Sequence, residues 1–590
     1  MTLGELLGRL PRPVEAAARA GAIALDAVSV VGTGRRLRSL PPGVGASILS
    51  RLARIDAVAP GLDGLKALVL LAEGADRAAD EAFAAARRRP PARPDAVLDV
   101  TPSVAWPGRS TFDIVVIGSG AGGAMAARTL ARAGMTVAVL EEGRRHAVGE
   151  FRTRHPLERF TSLYRDGGAT AAIGRPPVIL PIGRGVGGTT LVNSGTCYRT
   201  PPDVLRAWRD DAGLELADPD SFAAHLDDVW TTLEVAPVPR RIMGRNGRLA
   251  LAGAQALGWH AEPIARNAPG CGGCCQCSIG CPRNAKFGVH LNALPQACDN
   301  GARIVAEARA ERIGVANGRA TSVLARRPDG SHLVIHAAVG VVVAAGATET
   351  PTLLRRSGLG THPMLGRNLA LHPSVGVAGR FDEPVVAWRG VLQSASVDEF
   401  HARDGILVEA TSTPPGMGSV MLPGIGAELV EELDRADHLA TLGAMVADAA
   451  VGRVVGRRRA LVRYDLTPRD GRRLVQSIEV MGRLLFAAGA REVLTGIPGH
   501  ERVHDSRALG DAVAHARPNR LHVAAFHPVG TAAAGAHPDR SPVDARGALR
   551  GVQGVWVADA SALPSCPTVN PQVSVMALAL AIADRIVRTS

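Results

Sequence analysis

Six consecutive residues, Gly118-Ser119-Gly120-Ala121-Gly122-Gly123, and one acid, Glu141, have the types and spacing needed to bind a nucleotide. The first, third and sixth of the six are glycines. They permit a tight turn, let the backbone approach a pyrophosphate and let a helix pack close to a strand, while the N-terminus of that helix favours phosphate charge. Glu141 follows Gly123 by 18 residues, where such a unit places an acid on ribose hydroxyls. A carboxylate there fits a free 2′-hydroxyl and disfavours a 2′-phosphate. A second glycine loop runs from Gly183 to Asn193 and includes Gly187, Gly188 and Thr189. It joins backbone freedom to hydroxyl and amide donors, which suits wrapping a flat cofactor.

Sulfur forms the next constellation. Five of the eight cysteines crowd into Cys271, Cys274, Cys275, Cys277 and Cys281, with Cys197, Cys298 and Cys566 elsewhere. Cys271 and Cys274 make a C-x2-C pair and Cys277 and Cys281 a C-x3-C pair, spacings that hold zinc or an iron–sulfur cluster. Disulfides and packed free thiols are the competing readings. No apolar segment with a cleavage site follows Met1, so no secretion signal is expected, which favours free thiols. No metal ligand is assigned.

These groups need elements to position them. Residues 112–117 read as a buried strand, 122–134 as a helix and 136–141 as a second strand, so strand, glycines, helix, strand and acid occur in the order a dinucleotide-binding unit requires. Residues 341–347 read as a buried strand entering a turn, followed by a helix carrying Thr350, Leu353 and Leu354. Residues 554–560 form a strand ending at Asp559 and Ala560. Asn570-Pro571-Gln572-Val573 then opens an apolar helix to Val587. Upstream, residues 1 to about 85 show helical periodicity, as at Leu62, Leu65, Leu68 and Leu71. The proline-rich stretch 87–108 excludes regular helix and reads as a linker or surface strap.

A chain of 590 residues is too long for one simple core, and 46% hydrophobic with 21% charged residues excludes disordered and fibrous classes. The formal charge of +12 comes almost wholly from arginine, lysine occurring only at 66 and 286. The runs Arg87-Arg88-Arg89 and Arg457-Arg458-Arg459 lack interleaved aromatics, so no nucleic-acid partner is expected. No window of about 18 residues is apolar throughout, so no bilayer-spanning helix is expected. A peripheral membrane contact stays open.

Taken together, residues 110 to 588 resemble the glucose-methanol-choline (GMC) oxidoreductases. The resemblance rests on GSGAGG with Glu141, GRGVGGTTLVN, GATETPTLLRRSG, the pieces His527-Pro528-Val529-Gly530-Thr531, and VADASALPSCPTVNPQVSVMALALA. It implies an α/β fold, with a discontinuous, doubly wound, Rossmann-like FAD-binding domain, an α+β substrate domain and a helical N-terminal extension. The expected divisions are 1–110 for the extension and linker, 111–360 for the first FAD-binding part with the Cys-rich loop 271–286, 361–540 for the substrate domain, and 541–590 for the C-terminal FAD-binding part. The implied cofactor is FAD, bound non-covalently because residues 183–196 contain no histidine. Its expected contacts are Gly118, Gly120, Gly123, Glu141, Gly187, Gly188, Thr189, Asn193, Asp559, Ala560, Pro571 and Gln572.

The resemblance also implies catalysis by His527 and Asn570. Oxidising an alcohol removes a proton from oxygen and a hydride from carbon, so the site needs a base of near-neutral pKa beside the hydride acceptor. His527 is the implied base, Asn570 the partner that orients the hydroxyl, and flavin N5 the acceptor. The N-terminal extension, the loop Gly280-Cys281-Pro282-Arg283-Asn284-Ala285-Lys286 and the stretch 461–490 look most like the long-chain alcohol oxidase subgroup. That implies a long apolar alcohol as substrate and membrane proximity, while the lack of a secretion signal points to a cytoplasmic protein and the electron acceptor stays open between O2 and a redox carrier. Two other readings stay open: a sterol- or sugar-type GMC dehydrogenase, and a flavin electron-transfer subunit with a redox partner.

Overall fold

Residues Ile114, Val115, Val116 and Ile117 offer no polar alternation, so the strand that carries them must be covered on both faces. The computed structural model of the chain describes residues 3–10, 12–55, 58–413 and 422–589. Residues 1, 2, 11, 56, 57, 414–421 and 590, which fall in the expected extension, substrate domain and C-terminal part, lie outside the described residues. In it the strand Arg109–Ile117 sits between two parallel neighbours, Val137–Leu140 and His332–Val343. The sheet continues outward from Val137–Leu140 through Arg303–Ala306 to Val100–Pro102. On its other side His332–Val343 serves two partners. Residues 332–336 pair antiparallel with Arg319–Arg326, and residues 341–343 pair parallel with Val555–Val557.

The end of the chain therefore returns to its first strand. Helix Gln572–Thr589, apolar nearly all round, packs on helix Ala121–Arg132, and both share one core with the sheet. The close approach depends on glycine. A Cβ at Gly123 would lie 1.9 Å from the carbonyl oxygen of Gly118, so any side chain there forces helix and strand apart.

A second sheet is built on the antiparallel strands Ser374–Arg380, Leu439–Val446, Ile406–Thr411 and Gln393–Val397. Helices Gly244–Leu257 and Pro468–Ala487 cover it and share its core. Its strands cross the divisions expected from sequence. Ala171–Ile173, Val178–Ile179 and Ala261–Pro263 belong to this second sheet although they lie before residue 361. Val100–Pro102, expected in the linker, joins the first sheet instead. These strands have two or three residues each, too few for an apolar pattern, and only their distant pairing partners make them strands.

In the described part of the N-terminal extension, helix Ala59–Arg88 buries Leu70, Ala75, Ala78, Ala82 and Ala86 at intervals of three to five residues and packs on helix Pro156–Leu163. The proline-rich strap then crosses the Cys-rich loop. Ala92 N–H donates to Arg283 O, and Asp95 accepts from Val148 N–H and from the Asn284 amide. Gly123→Ala should lower the melting temperature by several degrees in a thermal melt. A melt superimposable on the parent's would contradict the packing role assigned to this glycine.

Candidate active site

A cavity of about 450 Å³ lies where the two sheets meet, bordered by Ile117 and Ala344 of the first and by Glu409 and Met445 of the second. The residues singled out from the sequence converge on it. Gly118, Gly120, Glu141, Gly188, Thr189, Asn193, His527, Asp559, Ala560, Asn570, Pro571 and Gln572 all line this one space. Gly123 and Gly187 stand behind it. Gly123 closes the helix on the strand, and Gly187 N–H donates to Ser119 Oγ at 3.0 Å, tying the second glycine loop to the first.

The glycine-lined part of the wall has the chemistry of a dinucleotide cradle. A Cβ at Gly188, whose φ is +55°, would lie 2.7 Å from Gly120 Cα, so the two loops touch backbone to backbone. Gly120 precedes helix Ala121–Arg132 and offers it no side-chain cap, which leaves the helix N-terminus directed at the cavity. Glu141 is 5% exposed and accepts from Ser119 Oγ at 2.7 Å, Ser119 N–H at 3.2 Å and Gly143 N–H at 2.8 Å. Burial pushes its carboxyl up and the nearby Glu142 adds to this, while the three donors pull it back. Asp559 accepts from Gly346 N–H at 2.8 Å and Thr350 Oγ1 at 2.6 Å, fastening the last strand to the turn after Val343. Asn193 Nδ2 donates to Gln572 Oε1 at 2.8 Å, joining the second glycine loop to the C-terminal helix.

Another part of the wall carries two imidazoles, His527 and His372. His527 Nδ1 lies 3.1 Å from His372 Nδ1 with the rings perpendicular, and His372 Nε2 lies 2.5 Å from Cys566 Sγ. Burial pushes His527 down to about 4 and His372 well below the usual imidazole range, and it pushes the Cys566 thiol well up. All three are therefore neutral at ordinary pH. His372 has a φ of +53°, a strained value for a non-glycine residue. Asp448 holds it there, accepting from His372 N–H and Leu371 N–H at 3.0 Å each and from the Tyr464 hydroxyl at 2.8 Å.

His372, Cys566 and Glu409 were not anticipated. His372 precedes Pro373 just as His527 precedes Pro528, and Glu409 is a lone acid in the apolar run Ile406–Thr411; both are signals that the sequence carries. In the Cys-rich loop, Arg266 Nη2 donates to Cys277 Sγ at 3.3 Å, and all eight cysteines are free. Among the described residues no group of three His, Cys, Asp or Glu side chains has metal-binding geometry.

Family models described as GMC oxidoreductase match residues 160–374 and 455–579, and one described as an FAD binding domain matches residues 113–148. The chain is 61% identical to a GMC-type oxidoreductase of Mycobacterium tuberculosis, over 98% of this chain and 92% of that one. This chain belongs to the GMC oxidoreductase family. As a GMC oxidoreductase it is an FAD-dependent enzyme. A long-chain-alcohol oxidase of Arabidopsis thaliana is 29% identical over 82% of this chain and 68% of that one. The fold is shared with pyridoxine 4-oxidase from Mesorbium loti, with a TM-score of 0.62 at 19% identity over 80% of this GMC oxidoreductase and 98% of that chain.

Asp448→Ala leaves two backbone N–H groups and the Tyr464 hydroxyl buried without their acceptor, at about 1–3 kcal/mol for each group. The variant should melt well below the parent. An unchanged melting temperature would show that Asp448 does not hold His372.

Proposed function

We propose that this GMC oxidoreductase oxidises a long-chain, apolar primary alcohol, with His527 taking the hydroxyl proton and Asn570 holding the hydroxyl oxygen. The observation that carries this reading is that His527, neutral through burial, and Asn570 line the same cavity as both glycine loops. FAD, when bound, supplies the two-electron acceptor. Gly118, Gly120, Gly188 and Thr189 would cradle its phosphates, with Gly187 and Gly123 supporting them from behind and Glu141 on the ribose. Asn193, Asp559, Ala560, Pro571 and Gln572 complete its wall. No histidine in residues 183–196 offers a covalent tether, and the reading is of dissociable FAD.

A base must present a lone pair to the substrate. His527 meets this need through Nε2 when its Nδ1–H donates to His372 Nδ1, the neighbour at 3.1 Å. His372 then carries its own hydrogen on Nε2, facing Cys566 Sγ. Because burial depresses His527, its base form persists to lower pH than for a histidine in water. The acid limb of kcat/KM therefore belongs near pH 4 rather than 6.5.

The substrate class is supported by the apolar Leu392, Ala444, Met445 and Phe526 in the cavity wall and by the long-chain-alcohol oxidase relative. Relatives named as oxidases favour O2 as the electron acceptor over a redox carrier. No described helix is long and apolar enough to cross a membrane. Helix Arg12–Thr33 exposes Ile23, Val28 and Val31 beside the exposed Arg35 and Arg36, a surface suited to peripheral contact with anionic lipid.

Anaerobic mixing with aliphatic, sterol and sugar alcohols tests the reading. Long-chain aliphatic alcohols should bleach the flavin, and His527→Ala should keep the flavin spectrum while slowing bleaching by about 10²–10⁴-fold. Bleaching by sterols or sugars alone would overturn the substrate class, and unchanged bleaching in His527→Ala would overturn the base.

A further inference from the structure

Glu409 lies between the apolar Val408 and Ala410, and its side chain enters the cavity wall only 6% exposed. Among the described residues no cation offsets its charge. Burial pushes its carboxyl up, and a hydrogen bond from the neighbouring Asn570 side chain, which favours the ionised form, offsets part of that rise. An isolated carboxylate in such a place is costly, and the group escapes the cost by keeping its proton.

The hydrogen-bond network fixes where that proton belongs. Thr196 Oγ1 donates to Gln393 Oε1 at 2.7 Å, which directs the other end of that amide toward Glu409. Gln393 Nε2 donates to Glu409 Oε2 at 2.7 Å, so Oε2 is an acceptor. Among the described residues Glu409 Oε1 is buried with no hydrogen-bond partner, and so is Asn570 Oδ1. Two neighbouring side chains thus each bury an acceptor that lacks a hydrogen. One proton on Glu409 Oε1, donated to Asn570 Oδ1, satisfies both.

We propose that Glu409 is a neutral carboxylic acid in the working enzyme and acts as a positioning residue, its Oε1–H held by Asn570 Oδ1 so that the Asn570 NH2 group faces the cavity and donates to the substrate oxygen. This rests on the reading of Asn570 as the partner of that oxygen. Ionised Glu409 has no hydrogen to give and instead draws the Asn570 N–H toward itself, away from the substrate. Burial raises the Glu409 carboxyl to about 8, so the acid form dominates at neutral pH and is lost as pH rises through that value. The titratable side chain that feels the Glu409 charge is Tyr198, itself pushed well above 10 by burial and therefore neutral throughout. Among the imidazoles of the same cavity, His527 and His372 are neutral as well.

The test pairs infrared spectroscopy with pH profiles on the FAD-loaded enzyme. With 13C-labelled glutamate, the parent at pH 7 should show a protonated-carboxyl C=O band that fades as pH rises through about 8 and is absent in Glu409→Gln. Glutamine copies the neutral acid, its Nε2 donating to Asn570 and its Oε1 accepting from Gln393. Glu409→Gln should keep kcat/KM within a few-fold of the parent at pH 7 and lose the alkaline limb. A carboxylate band alone at pH 7, or an alkaline limb unchanged in Glu409→Gln, overturns the proposal. Failure of the underlying reading looks different: Asn570→Ala would leave kcat/KM unchanged while the carboxylic-acid band persists.

Discussion

Withdrawing His527, His372, Cys566 and Glu409 from water without supplying counter-charges drives all four toward their neutral forms. Each then needs a hydrogen-bond partner rather than an ion pair, and the wall of the cavity is arranged to provide one. His527 meets His372, His372 meets Cys566, and Glu409 meets Gln393 and Asn570. Neutral groups in a buried wall hold fixed donor and acceptor directions, which suits the proposed oxidation, in which a proton and a hydride leave separately. The strained backbone of His372 belongs to the same arrangement. Asp448, tied to Tyr464, spends its acceptor capacity on keeping that residue where its ring reaches His527.

The fold serves this by bringing distant segments to one seam. The first sheet contributes the glycine loop at 118–123 and an apolar parallel core, and the second contributes Glu409 and the apolar residues near it. Neither sheet is formed from one continuous stretch of chain. Val555–Val557 closes on His332–Val343, and Ala171–Ile173 crosses to the second sheet. Chain crossings of this kind make the cavity a consequence of the whole fold, since opening either sheet removes part of its wall.

Much of the nucleotide-binding wall was legible in the sequence because its determinants are local. Gly118, Gly120, Gly123 and Glu141 work through spacing along one strand, one turn and one helix, and the structure keeps that order. His527 and Asn570 stand out in the sequence through the residues around them, and both line the same cavity. His372 and Cys566 were missed because their roles arise only when residues 194 apart in sequence come within 2.5 Å. Glu409 was missed because an acid in a strand reads as solvent-facing until the sheet and the cavity behind it are known. The short strands at Val100–Pro102 and Val178–Ile179 escaped for the same reason, being defined by partners rather than by pattern.

In the proposed reaction the bound cofactor is reduced by a carbon-bound hydrogen of an alcohol whose hydroxyl faces His527. The most direct measurement is anaerobic stopped-flow reduction of the FAD-loaded enzyme by a long-chain primary alcohol carrying either two hydrogens or two deuteriums on its hydroxyl-bearing carbon. The flavin should bleach with both, and distinctly more slowly with the deuterated alcohol at saturation. Equal rates from the two, with bleaching that does not depend on alcohol concentration, would contradict it.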